Sequence, residues 1–215
     1  MRRILLCLVA LAATGCPRQV GSDDAGAGPV DAGPSDFDGG DYDPVAGNGY
    51  DGPLIFDDAR VARIDGTLLR AGSSPCREPV LGRVYRISDG DTVQFTAADG
   101  SLDARVRMIG VDTPEIAHMG MPADCYGAEA TTFTEQLLDR TVWLTFDATC
   151  YDSFDRLLAY VHIGSGAGDL WERQLLRRGF ARVLTVGANR QFRGQFEEDE
   201  STAMSEDAGL WGACF

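Results

Sequence analysis

The stretch Leu81-Gly82-Arg83-Val84-Tyr85-Arg86-Ile87-Ser88-Asp89-Gly90-Asp91-Thr92-Val93-Gln94-Phe95-Thr96 decides the fold. Apolar and polar residues alternate over 81–87 and again over 92–96, the period of a strand with one buried face. The Ser-Asp-Gly-Asp segment between them is hairpin-turn chemistry. Residues 104–111, 142–147 and 157–163 have the same character, which makes five predicted strands. Between the third and fourth, residues 128–138 place Ala130, Phe133, Leu137 and Leu138 at helical spacing after Gly127. A second helix is predicted over 170–178, with Asp169 as its N-cap and Gly179 as its stop, and a third from about 192 to 207. The order β-β-β-α-β-β-α-α supplies the ingredients of an α+β domain: a five-stranded OB-fold Greek-key barrel with three peripheral helices. Periodicity alone also admits a different small α+β arrangement.

Working outward, this domain spans 79–215, and a lead-in of uncertain form, 59–78, precedes it. The chain opens Met1-Arg2-Arg3, continues as an apolar run over 4–14 and reaches Gly15-Cys16, the pattern of an export signal over 1–15. The run is shorter than the roughly 20 residues of a spanning helix. Leu11-Ala12-Ala13-Thr14-Gly15 before Cys16 resembles the lipobox of bacterial lipoproteins, in which that cysteine is acylated and becomes the mature N-terminus. Ordinary cleavage beside a stray cysteine is the competing reading. Pro17, rather than an Asp, follows Cys16, which resembles sorting to the outer membrane of a Gram-negative envelope. Residues 16–58 are Gly, Asp, Pro, Ala and Ser with scarcely a large apolar side chain, too little to offset ordering entropy, and are expected to form a disordered tether. No fixed period recurs in them, as a calcium-binding repeat would require.

The formal net charge is −14, and all 19 basic residues are Arg. Residues 17–60 hold ten Asp and two Arg, and residues 79–215 hold 12 Arg against 21 Asp and Glu, so both parts are acidic. That excludes capture of a phosphate polymer by a broad basic field; any such contact must be local, Arg-based and helped by a bound cation. Outside the signal and Cys16, four cysteines remain: Cys76, Cys125, Cys150 and Cys214. In an exported chain two disulfides are the natural reading. Zinc is the rival, but there is no C-x-x-C spacing and His118 and His162 form no zinc pattern.

Charge concentrates where the predicted strands end. In Ser88-Asp89-Gly90-Asp91-Thr92 two carboxylates share a turn, where they could offer a hard cation several oxygens, although Asp-Gly is equally a common hairpin turn. In Arg107-Met108-Ile109-Gly110-Val111-Asp112-Thr113-Pro114-Glu115 an Arg lies among apolar strand residues and needs an anion, which a structural salt bridge would also supply. Asp112 and Glu115 follow across a proline-stiffened turn and could divide metal ligation from activation of water. In Asp152-Ser153-Phe154-Asp155-Arg156-Leu157-Leu158-Ala159-Tyr160, Arg156 stands at the mouth of the last strand. Together the three segments hold what phosphodiester hydrolysis needs: a cation on the phosphate, a base for water, and donors for the developing charge.

With Tyr126-Gly127-Ala128-Glu129-Ala130, and in the same order, these segments resemble the motifs of the staphylococcal nuclease family over about residues 79–211. The resemblance implies an OB-type barrel with three helices. It also implies that Asp91 and Asp112 ligate Ca2+ through their carboxylates and Thr113 through its backbone carbonyl, with Asp89 steadying them. Glu115 would act as general base or orient the attacking water, and Arg107 and Arg156 would grip the phosphate. The implied reaction cleaves the P–O5′ bond of DNA and RNA, single-stranded or flexible, and leaves a 3′-phosphate. A monomer attached to the membrane only by its lipid is expected.

The chain also departs from the family. Thr185 and Gly187 stand where the family carries tyrosines that stack on a base, Ser153 replaces a lysine, and Asp155 replaces a glycine before Arg156. Cys125 and Cys150 both flank the implied site, so the expected pairing is Cys125 with Cys150 and Cys76 with Cys214, one of three possibilities. The competing functions are a catalytically silent OB module that binds nucleic acid or a protein partner, and a calcium-stabilised structural lipoprotein.

Overall fold

The computed structural model describes residues 47–117 and 120–215; the expected export signal, Cys16, His118 and the expected tether up to residue 46 lie outside the described residues. The seven strands among the described residues are β1 (Val80–Asp89), β2 (Thr92–Ala97), β3 (Asp103–Met108), β4 (Gly110–Asp112), β5 (Thr141–Thr145), β6 (Leu157–His162) and β7 (Arg182–Leu184). The helices are α1 (Asp58–Val61), α2 (Gly127–Thr134), α3 (Trp171–Arg177), α4 (Arg193–Ser205) and α5 (Leu210–Ala213).

Five strands close a barrel in the order β1-β2-β3-β6-β5, with β5 returning to β1. Every neighbouring pair is antiparallel except β3 with β6, which is parallel and places Val106 beside Leu157 and Arg107 beside Leu158. This parallel pair is the seam where the first three strands meet the last two, and the arrangement is the OB-type barrel expected from the element order. The alternation that predicted β2 puts Val93, Phe95 and Ala97 in the core, and Val84 of β1 lies opposite Phe95. Val106, Val142, Leu144 and Leu157 join them inside.

The helices cover the barrel with large side chains. Phe133 of α2 stacks on Trp171 of α3 at 4.9 Å between ring centroids, and Phe192 and Phe196 of the α4 region close around Tyr160. Helix α3 ends at Gly179 (φ +70) with the paired bonds Phe180 N–H to Leu175 O and Gly179 N–H to Leu176 O, a Schellman stop. Its expected N-cap is a correction. Leu170 occupies that position, and the Asp169 carboxylate instead accepts from the N–H groups of Asn48 and Gly166 and from Asn48 Nδ2.

Three more expectations are corrected. The predicted strand 104–111 is broken at Gly110 (φ +85), where a Cβ would strike Phe196; the chain turns there, and β4 leaves the barrel to pair with the unforeseen β7. The tether does not extend to residue 58, because residues 47–58 dock on the domain. Arg178 and Gln174 donate to the carbonyls of Gly52 and Gly49, and Phe56 packs 6.3 Å from Trp171, so glycines that permit close approach and one aromatic ring are enough to order the segment. The disulfides are Cys76–Cys150 and Cys125–Cys214, not the expected pairs. The lead-in runs beside the end of β5, where Gly72 and Cys76 donate to the carbonyls of Phe146 and Asp147, and this brings Cys76 to Cys150. Helix α5, anchored by buried Leu210, carries Cys214 to Cys125.

Candidate active site

The turn between β1 and β2 is shaped by packing as much as by hairpin chemistry. Gly90 is pressed against Thr113, whose Oγ1 would lie 2.7 Å from an added Cβ, and the Gly90 carbonyl accepts from Thr134 Oγ1 at 2.6 Å. The turn is thereby fixed to the segment after β4, and Asp91 Oδ2 accepts from Thr113 N–H at 3.0 Å. Asp89 supports this arrangement by accepting from Asp91 N–H at 3.2 Å.

Arg107 enters from β3. Because the chain bends at Gly110, the carbonyls of Met108 and Val111 both turn toward Arg107 Nη1, at 2.9 and 2.7 Å. Its Nη2 lies 2.9 Å from Asp112 Oδ1 and 3.1 Å from Asp91 Oδ2. One guanidinium nitrogen thus holds together two carboxylates 21 residues apart in the chain. Burial pushes Asp91 up to about 6, with the neighbouring Asp89 charge adding to the shift and Arg107 opposing it. Burial also raises Asp112, again against Arg107. Two carboxylates thus share one guanidinium nitrogen, with Arg182 a second cation acting on Asp112.

Arg156 stands just before β6, across the seam from Arg107. Asp152 shapes its loop: Oδ1 accepts from the N–H groups of Phe154 and Arg156, and Oδ2 from Arg156 Nε at 2.6 Å. Burial alone would raise Asp152, but these bonds together hold it below the ordinary carboxylate range. No described residue accepts from the Nη groups of Arg156. Arg107 and Arg156 line one cleft of about 360 Å3, whose other walls come from residues 149–154 and 184–189. The two wall segments are joined by Asn189, whose amide accepts from Thr149 N–H at 2.8 Å and donates to Thr149 O at 2.9 Å.

Residues 105–213 match the family model of staphylococcal nuclease homologues. The chain belongs to the staphylococcal nuclease family. It is 35% identical to a thermonuclease of Staphylococcus intermedius over 129 residues, 60% of this chain and 74% of that protein. It is 33% identical to a thermonuclease of Staphylococcus hyicus over 147 residues, 68% and 83% of the two chains. A probable endonuclease of Arthroderma otae is 26% identical over 171 residues, 62% of this chain and 57% of that protein.

The matched span of the staphylococcal nuclease family holds Arg107, Asp112, Thr113, Glu115 and Arg156 and begins after Asp89 and Asp91. The fold brings those two to the rest through Thr113 and Arg107. Glu115 lies two residues beyond Thr113. Its side chain is exposed, and its main chain is fixed by reciprocal contacts with Asp124 and by Gly127, where a Cβ would strike Glu115 O at 2.3 Å. Asp91, Arg107, Asp112 and Thr113 are therefore in direct contact, Arg156 shares the cleft with Arg107, and Glu115 borders the cluster without touching it. Sequence reading missed Thr134 and Asn189. An isolated Thr in a helix and an isolated Asn in a loop carry no local signal, because each acts on a backbone group distant in the chain.

Proposed function

We propose that the protein is a calcium-dependent nuclease that hydrolyses the P–O5′ bond of DNA and RNA and leaves a 3′-phosphate. The observation that carries this reading is the convergence of Asp91 and Asp112 on Arg107, with Arg156 lining the same cleft. The donor set suits the cation: two carboxylates that share one Arg107 nitrogen stand beside the main chain of Thr113. Among the described residues no three His, Cys, Asp or Glu side chains form a closed cage. A hard ion that completes its shell with water and substrate oxygens fits such a set. When bound, that ion would neutralise phosphate charge and make a water easier to deprotonate.

The side chains do the rest. Arg156 Nη groups would donate to the phosphate oxygens, and the fork geometry of a guanidinium matches two of them. Arg107 Nη2 is shared between Asp91 and Asp112, so its donation to phosphate requires those carboxylates to be satisfied in another way; cation and phosphate would bind as a unit. Glu115, exposed at the border, is free to accept a proton from water on the open side. Export through the segment at 1–15 and acylation at Cys16 would deliver the enzyme, as a monomer, to the cell envelope, in the outer membrane of a Gram-negative cell.

The test is incubation of the full chain, disulfides intact, with DNA and RNA strands in calcium and then in chelator. Cleavage that requires calcium and yields 3′-phosphate ends is expected, and Glu115→Gln and Arg156→Ala should each lose about 100-fold or more in kcat. Absence of calcium-dependent cleavage by the wild-type chain would reject the reading.

A further inference from the structure

We infer that Arg105 and Arg86, with Gln94 between them, form a second phosphate-binding row on the outer face of the barrel, which holds the polynucleotide backbone beyond the scissile position. The inference rests on the nuclease reading for the strand that the cleft receives, and goes beyond it in assigning where that strand runs next.

Strand register builds the row. Gln94 of β2 pairs with Arg86 of β1 on one side and with Arg105 of β3 on the other, and residues directly opposite in neighbouring strands point to the same face. That face is the outer one, because Val93, Phe95 and Val106 of the same strands lie in the core. Arg107, two residues after Arg105, shares the face by alternation, about 7 Å further along β3. Across the seam Val106 lies beside Leu157 of β6, so Arg156, one residue earlier, stands level with Arg105. Crossing the sheet at this level, one meets Arg156, Arg105, Gln94 and Arg86 in turn, over about 14 Å at the ordinary strand spacing.

Arg86 and Arg105 are exposed, and among the described residues neither is ion-paired, whereas Arg107, Arg173, Arg177 and Arg193 each hold a carboxylate within 3.1 Å. Asp103, two residues before Arg105 on the same face, has its carboxylate engaged by Tyr85 Oη at 2.8 Å. Two guanidiniums left open in a chain of net charge −14 are available to an anion from outside. The usual duties of a charged strand residue do not account for them. Charges on an edge strand deter pairing with another chain, but β1, β2 and β3 belong to a closed barrel and have no free edge. Nor does so acidic a chain need two more cations to stay soluble.

The ligand that fits is a repeating anion. Each guanidinium offers a fork to one phosphate, and Gln94 Nε2 keeps one N–H beyond its bond to Ser88 Oγ. Such contacts position a backbone without reading its bases. Because the overall field repels a phosphate polymer, the row acts at short range, once the cleft arginines have taken a first phosphate.

The experiment compares wild type, Arg86→Ala with Arg105→Ala, and Arg86→Lys with Arg105→Lys, each as the full oxidised chain in calcium. The substrates are a thymidine dinucleotide and an oligothymidylate of about twelve nucleotides, within the span one such barrel can hold. For the Ala pair the ratio of kcat/KM on the long substrate to that on the short one should fall about tenfold at low salt, and the slope of log KM against log salt on the long substrate should become shallower by about 1.4, the share of two phosphate contacts. The Lys pair should keep most of both. An unchanged ratio and slope, or an equal loss on both substrates, overturns the inference and leaves the nuclease reading standing. So does an Ala pair that cuts like wild type at both lengths but no longer binds phosphatidylglycerol vesicles, which would assign the row to a lipid surface. If the wild type cuts nothing, the nuclease reading fails and anisotropy of the labelled long strand still tests the row: weaker binding by the Ala pair supports it, and equal binding overturns it.

Discussion

Arg107 Nη2 lies 3.1 Å from Asp91 Oδ2, with both side chains almost withdrawn from solvent. Removing one partner of such a pair leaves an uncompensated buried charge, which costs about 3–5 kcal/mol, whereas neutralising both costs far less. Arg107→Ala is therefore expected to destabilise the fold by about 3 kcal/mol, and Arg107→Ala combined with Asp91→Asn to recover most of that loss without recovering cleavage. Urea unfolding of the two variants beside wild type checks this. A double variant no more stable than the single would show that the pair does not act as one.

The elevated Asp91 sets a pH dependence. Its value is raised from the ordinary carboxylate range to about 6, so its protonated form stabilises the fold; that contribution is complete below about pH 4 and is lost as pH rises through about 6. Ligation of a cation requires the carboxylate, so calcium affinity should fall by about tenfold per pH unit below pH 6. Calorimetric titration with calcium from about pH 5 to about pH 8 measures it. A flat affinity over that range would remove Asp91 from the ligand set.

Each disulfide ties a segment of the site to a remote part of the chain. Cys76–Cys150 closes 74 residues at the root of the Arg156 loop, and Cys125–Cys214 closes 89 beside Asp124, the residue that fixes the Glu115 main chain. Replacing either pair by Ser should cost about 2–5 kcal/mol. Cys76→Ser with Cys150→Ser should in addition raise KM, because the Arg156 loop loses an anchor, and this excess should persist at temperatures where the variant is fully folded. Melting curves and steady-state kinetics on the same samples separate the two effects.

Asp155 adopts φ +58, a left-handed conformation better suited to glycine, and adds a carboxylate next to Arg156. Asp155→Gly trades relief of that strain against greater freedom in the unfolded chain, so stability should change by less than about 1 kcal/mol. Loss of the negative charge should lower KM for a DNA strand by about two- to fivefold at low salt, with the effect fading as salt rises. An unchanged KM at low salt would mean that the Asp155 charge does not reach the cleft.

What could be read in advance divides along physical lines. The β1–β2 hairpin was legible because alternation and an Asp-Gly turn are local, and the helix stop at Gly179 was legible for the same reason. Asp91, Arg107 and Asp112 were legible as motif residues, but that Arg107 would gather both carboxylates depended on the bend at Gly110, which sequence reading took for the interior of one strand. The disulfide pairing was misassigned because Cys125 and Cys150 do flank the site, yet each is met there by a different distant segment. Thr134 and Asn189 left no trace in the sequence, since the backbone groups they satisfy lie 44 and 40 residues away.

The parallel contact of β3 with β6 has a final consequence. Arg107 rides on one of these strands and Arg156 stands immediately before the other, so the two guanidiniums become neighbours only when β6 docks. A chain that has folded only as far as β3 holds one guanidinium of the pair without the other. Whatever chemistry needs both guanidiniums is thereby withheld by topology until the barrel has closed.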